Sequence, residues 1–164
     1  MKVPVWLRAV SFLIIAPGSI LGLFPWWVTD GHLEAGGESA AFLAVAVVLF
    51  AVGLSTLLWC FVDFGRRGLG TPAPYDPPKK LVVAGLYRYT RNPMYVALVL
   101  ALVGESIWSQ SRGMMIYTAV VAVGFHLRVV IHEEPKLTEL FGDEFADYRR
   151  RVPRWLPLSA SRAE

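Results

Sequence analysis

The stretch GLYRYTRNPMYVALVLALVGESIW, residues 85–108, joins a polar, tyrosine-rich beginning to a sixteen-residue apolar run in which Glu105 is the one charged residue. Asparagine is favoured directly before a helix and proline in its first position, so Asn92 and Pro93 predict that a helix begins at the junction. A bilayer span needs about 20 apolar residues, so this run is short for a span. Whether it crosses a membrane depends on the rest of the chain.

Three further apolar runs occupy residues 5–28, 40–62 and 113–131. A hydrophobic content of 55% over 164 residues is higher than in soluble domains. The first run ends in a proline and two tryptophans without a small-residue cleavage site, so we interpret it as a retained span and not as a signal peptide. We therefore predict an all-α membrane protein, one integral-membrane domain with about four transmembrane helices.

Charge and cysteine content exclude several further classes of protein. The formal net charge is +3, and no basic patch interleaved with aromatic residues is present, so we expect no nucleic-acid partner. Cys60 is the sole cysteine, so an intrachain disulfide is excluded, and no metal site is predicted. The oligomeric state stays open.

Basic residues are distributed unevenly between the apolar runs. Between the first and second runs there is no lysine or arginine, and between the third and fourth Arg112 alone is basic. Residues 63–92 contain six basic residues, and residues 149–154 contain four. The positive-inside rule therefore predicts that both termini and residues 63–92 face the cytoplasm.

The segment GRRGLGTPAPYDPPKK, residues 65–80, predicts a stiff, irregular connection because it contains four prolines. Its glycines, Gly65, Gly68 and Gly70, suggest a phosphate-binding loop, but no strand precedes them, which argues against nucleotide binding. An elbow held to anionic lipid by its basic residues is favoured.

The predicted mouth of the third span combines several groups that suit an anion. A helix N-terminus has free N–H groups and a partial positive charge, and Arg91 adds a full charge beside it. Tyr95 lies one turn further along, and Gly85 permits close backbone approach. Anchoring of arginine and tyrosine at the membrane interface is the alternative interpretation.

A second group of candidates lies at the end of the fourth span, in GFHLRVVIHEEPKL. His126 and Glu133 share a helical face, and Glu134 lies on the neighbouring one. Arg128 lies within the apolar run, where ionisable groups often mark a site, although snorkelling or a pair with Glu134 is equally compatible. Pro135 is expected to break the helix and let the chain turn along the membrane surface. The residues beyond it then predict a C-terminal amphipathic helix at the cytoplasmic face, ended by Pro153.

Together, these groups suit a zwitterion, because a helix N-terminus and Arg91 favour a carboxylate whereas a glutamate favours an ammonium or sulfonium. GLYRYTRNPMY, followed about 40 residues later by HEEPKLTELFGDEFADYRRRVPRWLP, resembles the integral-membrane methyltransferases of the isoprenylcysteine carboxyl methyltransferase and phospholipid N-methyltransferase group. Their pattern is Arg-His-Pro-x-Tyr, a hydrophobic span and then Glu-Glu. Asn92 replaces the histidine, which keeps a helix cap and removes a titratable ring. The resemblance covers residues 81–157, the expected catalytic part, after two spans and a linker in residues 1–80 and before a tail in residues 158–164.

The resemblance implies S-adenosylmethionine-dependent methyl transfer to a lipid-like acceptor that enters from the membrane. The residues that it implies for binding S-adenosylmethionine are Gly85, Leu86, Tyr87, Arg91, Asn92, Pro93, Tyr95, His126, Glu133 and Glu134. For catalysis, His126 or Glu134 would serve as a base for a lipid amine, whereas Arg128 would suit a carboxylate or phosphate acceptor. The sequence leaves the choice between a phospholipid amine, a prenylcysteine carboxylate and a thiol open.

Two other functions agree with parts of the sequence. An NADPH-dependent sterol-type membrane reductase has a comparable arginine-proline-tyrosine stretch, but this chain is short for such an enzyme and lacks an acidic residue soon after Tyr95. A non-enzymatic membrane adaptor is the other alternative, and it predicts no cofactor binding. Glu105 is expected to be a group at the opposite membrane interface.

Overall fold

The computed structural model describes residues 5–32, 34–36, 39–66 and 80–155. All regular elements in these ranges are helical, which confirms the predicted all-α class. The predictions for most of the loop at residues 65–80 and for the tail at residues 158–164 lie outside the described residues.

The N-terminal half contains two long apolar helical segments. In the first, α1 (Val5–Gly18), a π-helical turn (Ser19–Leu23) and α2 (Phe24–Val28) follow one another directly. Pro25 in the first turn of α2 lacks an N–H and crowds the preceding turn, and the wider π-helical turn gives its ring room. The second segment, α3 (Ala40–Arg66), is uninterrupted.

The C-terminal half begins with a short 3₁₀ turn (Gly85–Arg88) that leads into α4 (Pro93–Ser109). The predicted start at Pro93 is confirmed. The chain then continues through α5 (Arg112–Arg128), a second π-helical turn (Val129–Glu133) and α6 (Glu134–Arg151).

The predicted break at Pro135 is wrong. Pro135 lies in the first turn of α6, where a missing N–H costs little, and the π-helical turn just before it accommodates the ring. The direction of the chain changes instead at Gly142, whose φ of 48° and ψ of −120° are not helical. Val152 is extended, so α6 ends just before Pro153, as predicted.

Three helical segments of the described ranges are long and apolar enough to cross a membrane, namely Val10–Val28, Ala40–Asp63 and Arg112–Arg151. The fourth candidate, α4, has 17 residues and a length of about 26 Å, compared with a hydrocarbon core of about 30 Å. The four predicted apolar runs therefore all form helices, and the chain is an all-α integral membrane protein.

Two glycines bring α3 and α4 into backbone contact. A Cβ at Gly53 would lie 2.6 Å from the backbone nitrogen of Ala101, and a Cβ at Gly104 would lie 2.7 Å from the carbonyl oxygen of Ala46. Small residues permit this approach in membranes, where packing replaces hydrophobic burial as the main attraction between helices. The contact fixes α4, and with it the N-terminal mouth at Pro93, against α3.

The end of the chain folds back onto this mouth. Phe145, Tyr148 and Val152 form a buried cluster against which Leu81, Leu137 and Phe141 pack. Leu140 of the same helix is half exposed. The predicted amphipathic helix thus caps the segment that precedes α4.

Candidate active site

The 3₁₀ turn before α4 is fixed by close contacts from two helices. Gly85 has a φ of +62°, and a side chain at this position would run into the carboxylate of Asp63 on α3. The hydroxyl of Tyr148 on α6 donates a hydrogen bond to the carbonyl oxygen of Tyr87 over 2.7 Å. Burial raises the pKa of the Tyr87 hydroxyl, so this group stays neutral. The backbone N–H of Thr90 donates a hydrogen bond to the carbonyl oxygen of Leu86, which closes the turn.

Asn92 precedes α4 as predicted, but its side chain does not cap the helix. Its Nδ2 donates instead to the carbonyl oxygen of Arg154 over 2.9 Å, and the hydroxyl of Thr90 donates to the same oxygen over 3.1 Å. The backbone N–H of Arg91 donates to the carbonyl of Pro153. Residues 153–155, which we call the C-terminal strap, are therefore bound to the start of α4.

Glu134 joins this strap to the mouth of α4 through two arginines. Its Oε1 lies 2.7 Å from Nη1 of Arg91 and 2.8 Å from Nε of Arg154, and its Oε2 accepts a further hydrogen bond from Arg154 over 2.9 Å. The side chains of Glu134 and Arg91 are only 9% and 11% exposed. Burial lowers the pKa of Arg91, opposed by the Glu134 carboxylate, whereas the hydrogen bond to Glu134 raises the pKa of Arg154.

Glu133, the preceding residue, belongs to a different and more exposed group. The hydroxyl of Tyr95 donates to its Oε1, and Nε of Arg128 donates to the same oxygen over 2.9 Å and to the Tyr95 hydroxyl over 3.1 Å. The ring of Phe125 lies 4.5 Å from that of Tyr95. Arg128 and Glu133 are 43% and 31% exposed, so this group is open to a ligand.

His126 meets neither glutamate through a hydrogen bond in the described part of the chain. Its Nδ1 lies 3.2 Å from the indole nitrogen of Trp155 in the C-terminal strap, and the two rings are 6.0 Å apart. Of the residues predicted from the sequence, Arg91, Asn92 and Glu134 thus form one group and Tyr95, Arg128 and Glu133 a second. His126 belongs to neither group, and its partner, Trp155, was not predicted from the sequence.

The π-helical turn explains part of this arrangement. Arg128 and Glu133 are five residues apart and would diverge on an α-helix, but the wider turn between them brings their side chains together. Of the alternatives that the sequence left open for Arg128, a pair with Glu134 is not formed, since its partner is Glu133. Among the described residues, no group of three histidine, cysteine, aspartate or glutamate side chains is placed to hold a metal ion.

Four residues of this region were missed by the sequence-based analysis, namely Asp63, Thr90, Arg154 and Trp155. The available signal was the basic-aromatic pair Arg154-Trp155 directly after Pro153. Asp63 carried no comparable signal, because its contact with Gly85 joins segments that are distant in sequence.

Fold and site together define an all-α integral membrane protein with a polar, charge-paired site at the mouth of a short apolar helix. Residues 41–144 match the family model described as PEMT, phospholipid methyltransferase. Because this match covers more than half of the chain, the chain belongs to the phospholipid methyltransferase family.

Some curated proteins are similar to nearly the whole chain, and others to about half of it. Cobalt-zinc-cadmium resistance protein CzcN of Cupriavidus metallidurans is 29% identical over 168 residues, which cover 99% of this chain and 67% of that protein. Protein-S-isoprenylcysteine O-methyltransferase of Schizosaccharomyces pombe is 31% identical over 78 residues, 48% of this chain and 33% of that protein. Methanethiol S-methyltransferase 1 of Bradyrhizobium diazoefficiens is 28% identical over 84 residues, 51% of this chain and 28% of that protein. No solved structure matches the chain.

Proposed function

We propose that the chain transfers a methyl group from S-adenosylmethionine to a lipid-like or lipidated acceptor at the cytoplasmic face of the membrane. The observation that carries this proposal is the separation of the two adjacent glutamates. Glu134 is buried and bound by arginines, whereas Glu133 is partly exposed beside Tyr95 and the start of α4. Such a mouth offers both an anion-binding and a cation-binding group within one site.

The amino-acid part of S-adenosylmethionine fits the donors and acceptors of this mouth. Nε of Arg91 is buried and has no hydrogen-bond acceptor among the described residues, so it is available to a carboxylate together with the first N–H groups of α4. Oε1 of Glu133 is shared by Tyr95 and Arg128, while its second oxygen suits an ammonium. Arg91 and Glu133 would therefore hold opposite ends of the zwitterion.

The residues around Glu133 also suit the electrostatics of methyl transfer. When bound, S-adenosylmethionine supplies a methyl group from a sulfonium, and the acceptor's lone pair displaces the neutral thioether. Strong stabilisation of the sulfonium would slow this step, because the positive charge is lost in the transition state. Arg128 compensates much of the charge of Glu133, which limits such stabilisation while Glu133 and Tyr95 keep the reactants aligned.

We assign Glu134 to the support of the site and not to proton transfer, because both of its oxygens accept hydrogen bonds from arginines. His126 and Arg128 remain the candidates for contact with the acceptor. The relatives named above include enzymes whose names specify an isoprenylcysteine and methanethiol, so carboxylate, thiol and amine acceptors are all candidates for this chain. Residues 81–157 are the proposed cofactor-binding part, and the positive-inside rule supports its cytoplasmic location.

Cofactor binding is the first test. The full chain in detergent is titrated by calorimetry with S-adenosylmethionine and, separately, with NADPH. We expect binding of S-adenosylmethionine alone, weakened by Glu133→Gln and by Tyr95→Phe without loss of the fold. Binding of NADPH alone would support the reductase, and binding of neither would remove the proposal.

The acceptor is then identified by transfer of label. Protein in native-lipid vesicles receives S-adenosylmethionine with a radiolabelled methyl group, together with total native lipids or a prenyl-cysteine analogue. Label in a lipid fraction indicates an amine-bearing or other lipid acceptor, and label in the analogue indicates a carboxylate. Glu133→Gln serves as the impaired control, and absence of label from both fractions would contradict the assigned acceptor class.

A further inference from the structure

We propose that Trp155 is a positioning residue that fixes His126 in the tautomer with its proton on Nε2. The inference rests on the proposed function, since it assigns the role of the His126 ring at the methyl-transfer site. It starts from the contact of 3.2 Å between the indole nitrogen of Trp155 and Nδ1 of His126.

The chemistry of the two rings determines the direction of this hydrogen bond. An indole N–H donates and never accepts, so Nδ1 of His126 must be the acceptor and carries no proton. A neutral imidazole has one proton, which then lies on Nε2, and a protonated imidazole would present a donor at both nitrogens and lose the contact. The contact therefore selects one tautomer of the neutral ring.

Trp155 is suited to this role because the C-terminal strap is held in place by independent contacts. The carbonyl oxygen of Pro153 accepts a hydrogen bond from the backbone N–H of Arg91. The carbonyl oxygen of Arg154 accepts hydrogen bonds from the side chains of Thr90 and Asn92. The guanidinium of Arg154 forms two hydrogen bonds to Glu134. The residue directly before Trp155 is thus fixed at both its backbone and its side chain.

The tautomer decides what His126 contributes to the reaction. With its proton on Nε2, the ring offers a hydrogen-bond donor to an anionic oxygen, and Nε2 has no lone pair to accept a proton. His126 therefore orients a substrate group and does not act as a base through Nε2 while the strap is docked. If the acceptor is an amine, its proton leaves to another group or to water.

The test is nitrogen NMR of the histidine rings in the full chain, labelled at histidine and kept at alkaline pH, where imidazole rings are neutral. The chain has three histidines, and the exposed His32 and His132 provide references within the same spectrum. His126→Gln identifies the His126 signals by their loss. No cofactor is added, so the result is separate from that of the calorimetric test of the proposed function.

We expect Nδ1 of His126 to give the signal of an unprotonated nitrogen, with a coupling across the hydrogen bond to the indole N–H of Trp155. The population of the other tautomer should be about fivefold lower than in His32 and His132, the factor that one hydrogen bond of ordinary net strength produces. Trp155→Phe, which keeps an aromatic ring and removes the N–H, should return His126 to the reference population. Trp27→Phe, at a tryptophan that is 71% exposed, should change nothing.

Two results would overturn the proposal. One is a proton on Nδ1 of His126 in the unmodified chain, a measurement that does not depend on any variant folding. The other is a tautomer population in Trp155→Phe equal to that of the unmodified chain.

Discussion

Glu133 and Glu134 are adjacent in sequence, yet they belong to sites of opposite character. Glu134 has a side chain that is 9% exposed, and both of its oxygens are bound by Arg91 and Arg154. Glu133 is 31% exposed, and the described contacts, from Tyr95 and Arg128, both reach its Oε1. Glu134 thus holds the C-terminal strap against the start of α4, whereas Glu133 is partly open to solvent.

This difference arises from the helix geometry around the pair. Glu133 ends the π-helical turn and Glu134 begins α6, and successive residues of a helix lie about 100° apart around its axis, so the two side chains leave on different faces. One face meets the C-terminal strap and the other meets α4. If the same division holds for function, a substitution at Glu134 should mainly change stability and a substitution at Glu133 should mainly change ligand binding.

The largest effect is expected for Glu134→Gln. The substitution leaves Arg91 buried and unpaired, which should lower the free energy of unfolding by about 3 kcal/mol. Thermal unfolding in detergent, followed by circular dichroism, measures the change. Glu133→Gln is the matched control, and equal losses of stability in the two variants would contradict the division between them.

Glu133→Gln should act mainly on the ligand. Loss of one charge-assisted contact with an ammonium predicts about tenfold weaker binding of S-adenosylmethionine. The free energy of unfolding should change by less than about 1 kcal/mol, because the pair with Arg128 is partly exposed. Calorimetry gives the affinity, and an unchanged dissociation constant would locate the cation-binding group elsewhere.

Arg154→Lys tests how much the two hydrogen bonds from Arg154 to Glu134 contribute to stability. Lysine keeps the charge but cannot reproduce the two-point contact with Glu134, so we expect a loss of about 1–2 kcal/mol of stability. Arg151→Lys is the control, since Arg151 is exposed and contacts only the carbonyl of Asp147 among the described residues. If both variants lose the same stability, the contact with Glu134 has no special role.

The smallest effect on the site is expected for Glu105→Gln. Glu105 lies twelve residues after the start of α4, about 18 Å along the axis from the mouth. Its Oε2 is buried without a hydrogen-bond partner in the described structure, beside a cavity of about 260 Å³ that Phe50 and Trp108 help to line. Binding of S-adenosylmethionine should stay within about twofold of the unmodified affinity. A tenfold loss in calorimetry would connect this distant carboxyl to the site.

Sequence alone predicted the helices well because apolar runs and their ends are local properties. The start of α4 at Pro93 and the four apolar segments followed from composition and capping preferences. The path of the chain after Ile131 was not predicted correctly. Pro135 was expected to break the helix, whereas the π-helical turn before it accommodates the ring and the helix continues.

The site was predicted in its members but not in its pairing. The resemblance indicated Arg91, Tyr95, His126 and both glutamates, yet the one partner that the sequence offered for Arg128 was Glu134, and Arg128 pairs with Glu133. The partners that settle the arrangement, Arg154 and Trp155, come from a segment whose docking depends on contacts with residues more than 60 positions away. Such contacts leave no periodic signal in one sequence.

The double arginine clamp on Glu134 also has a consequence for biosynthesis. Arg154 follows Glu134 by 20 residues, so at about 5–20 residues per second the ribosome adds it about one to four seconds later. During that interval Arg91 is the one clamp arginine already synthesised. The nascent chain thus acquires its last apolar span before the clamp can close, and the mouth of α4 reaches its final form only after the strap has been added.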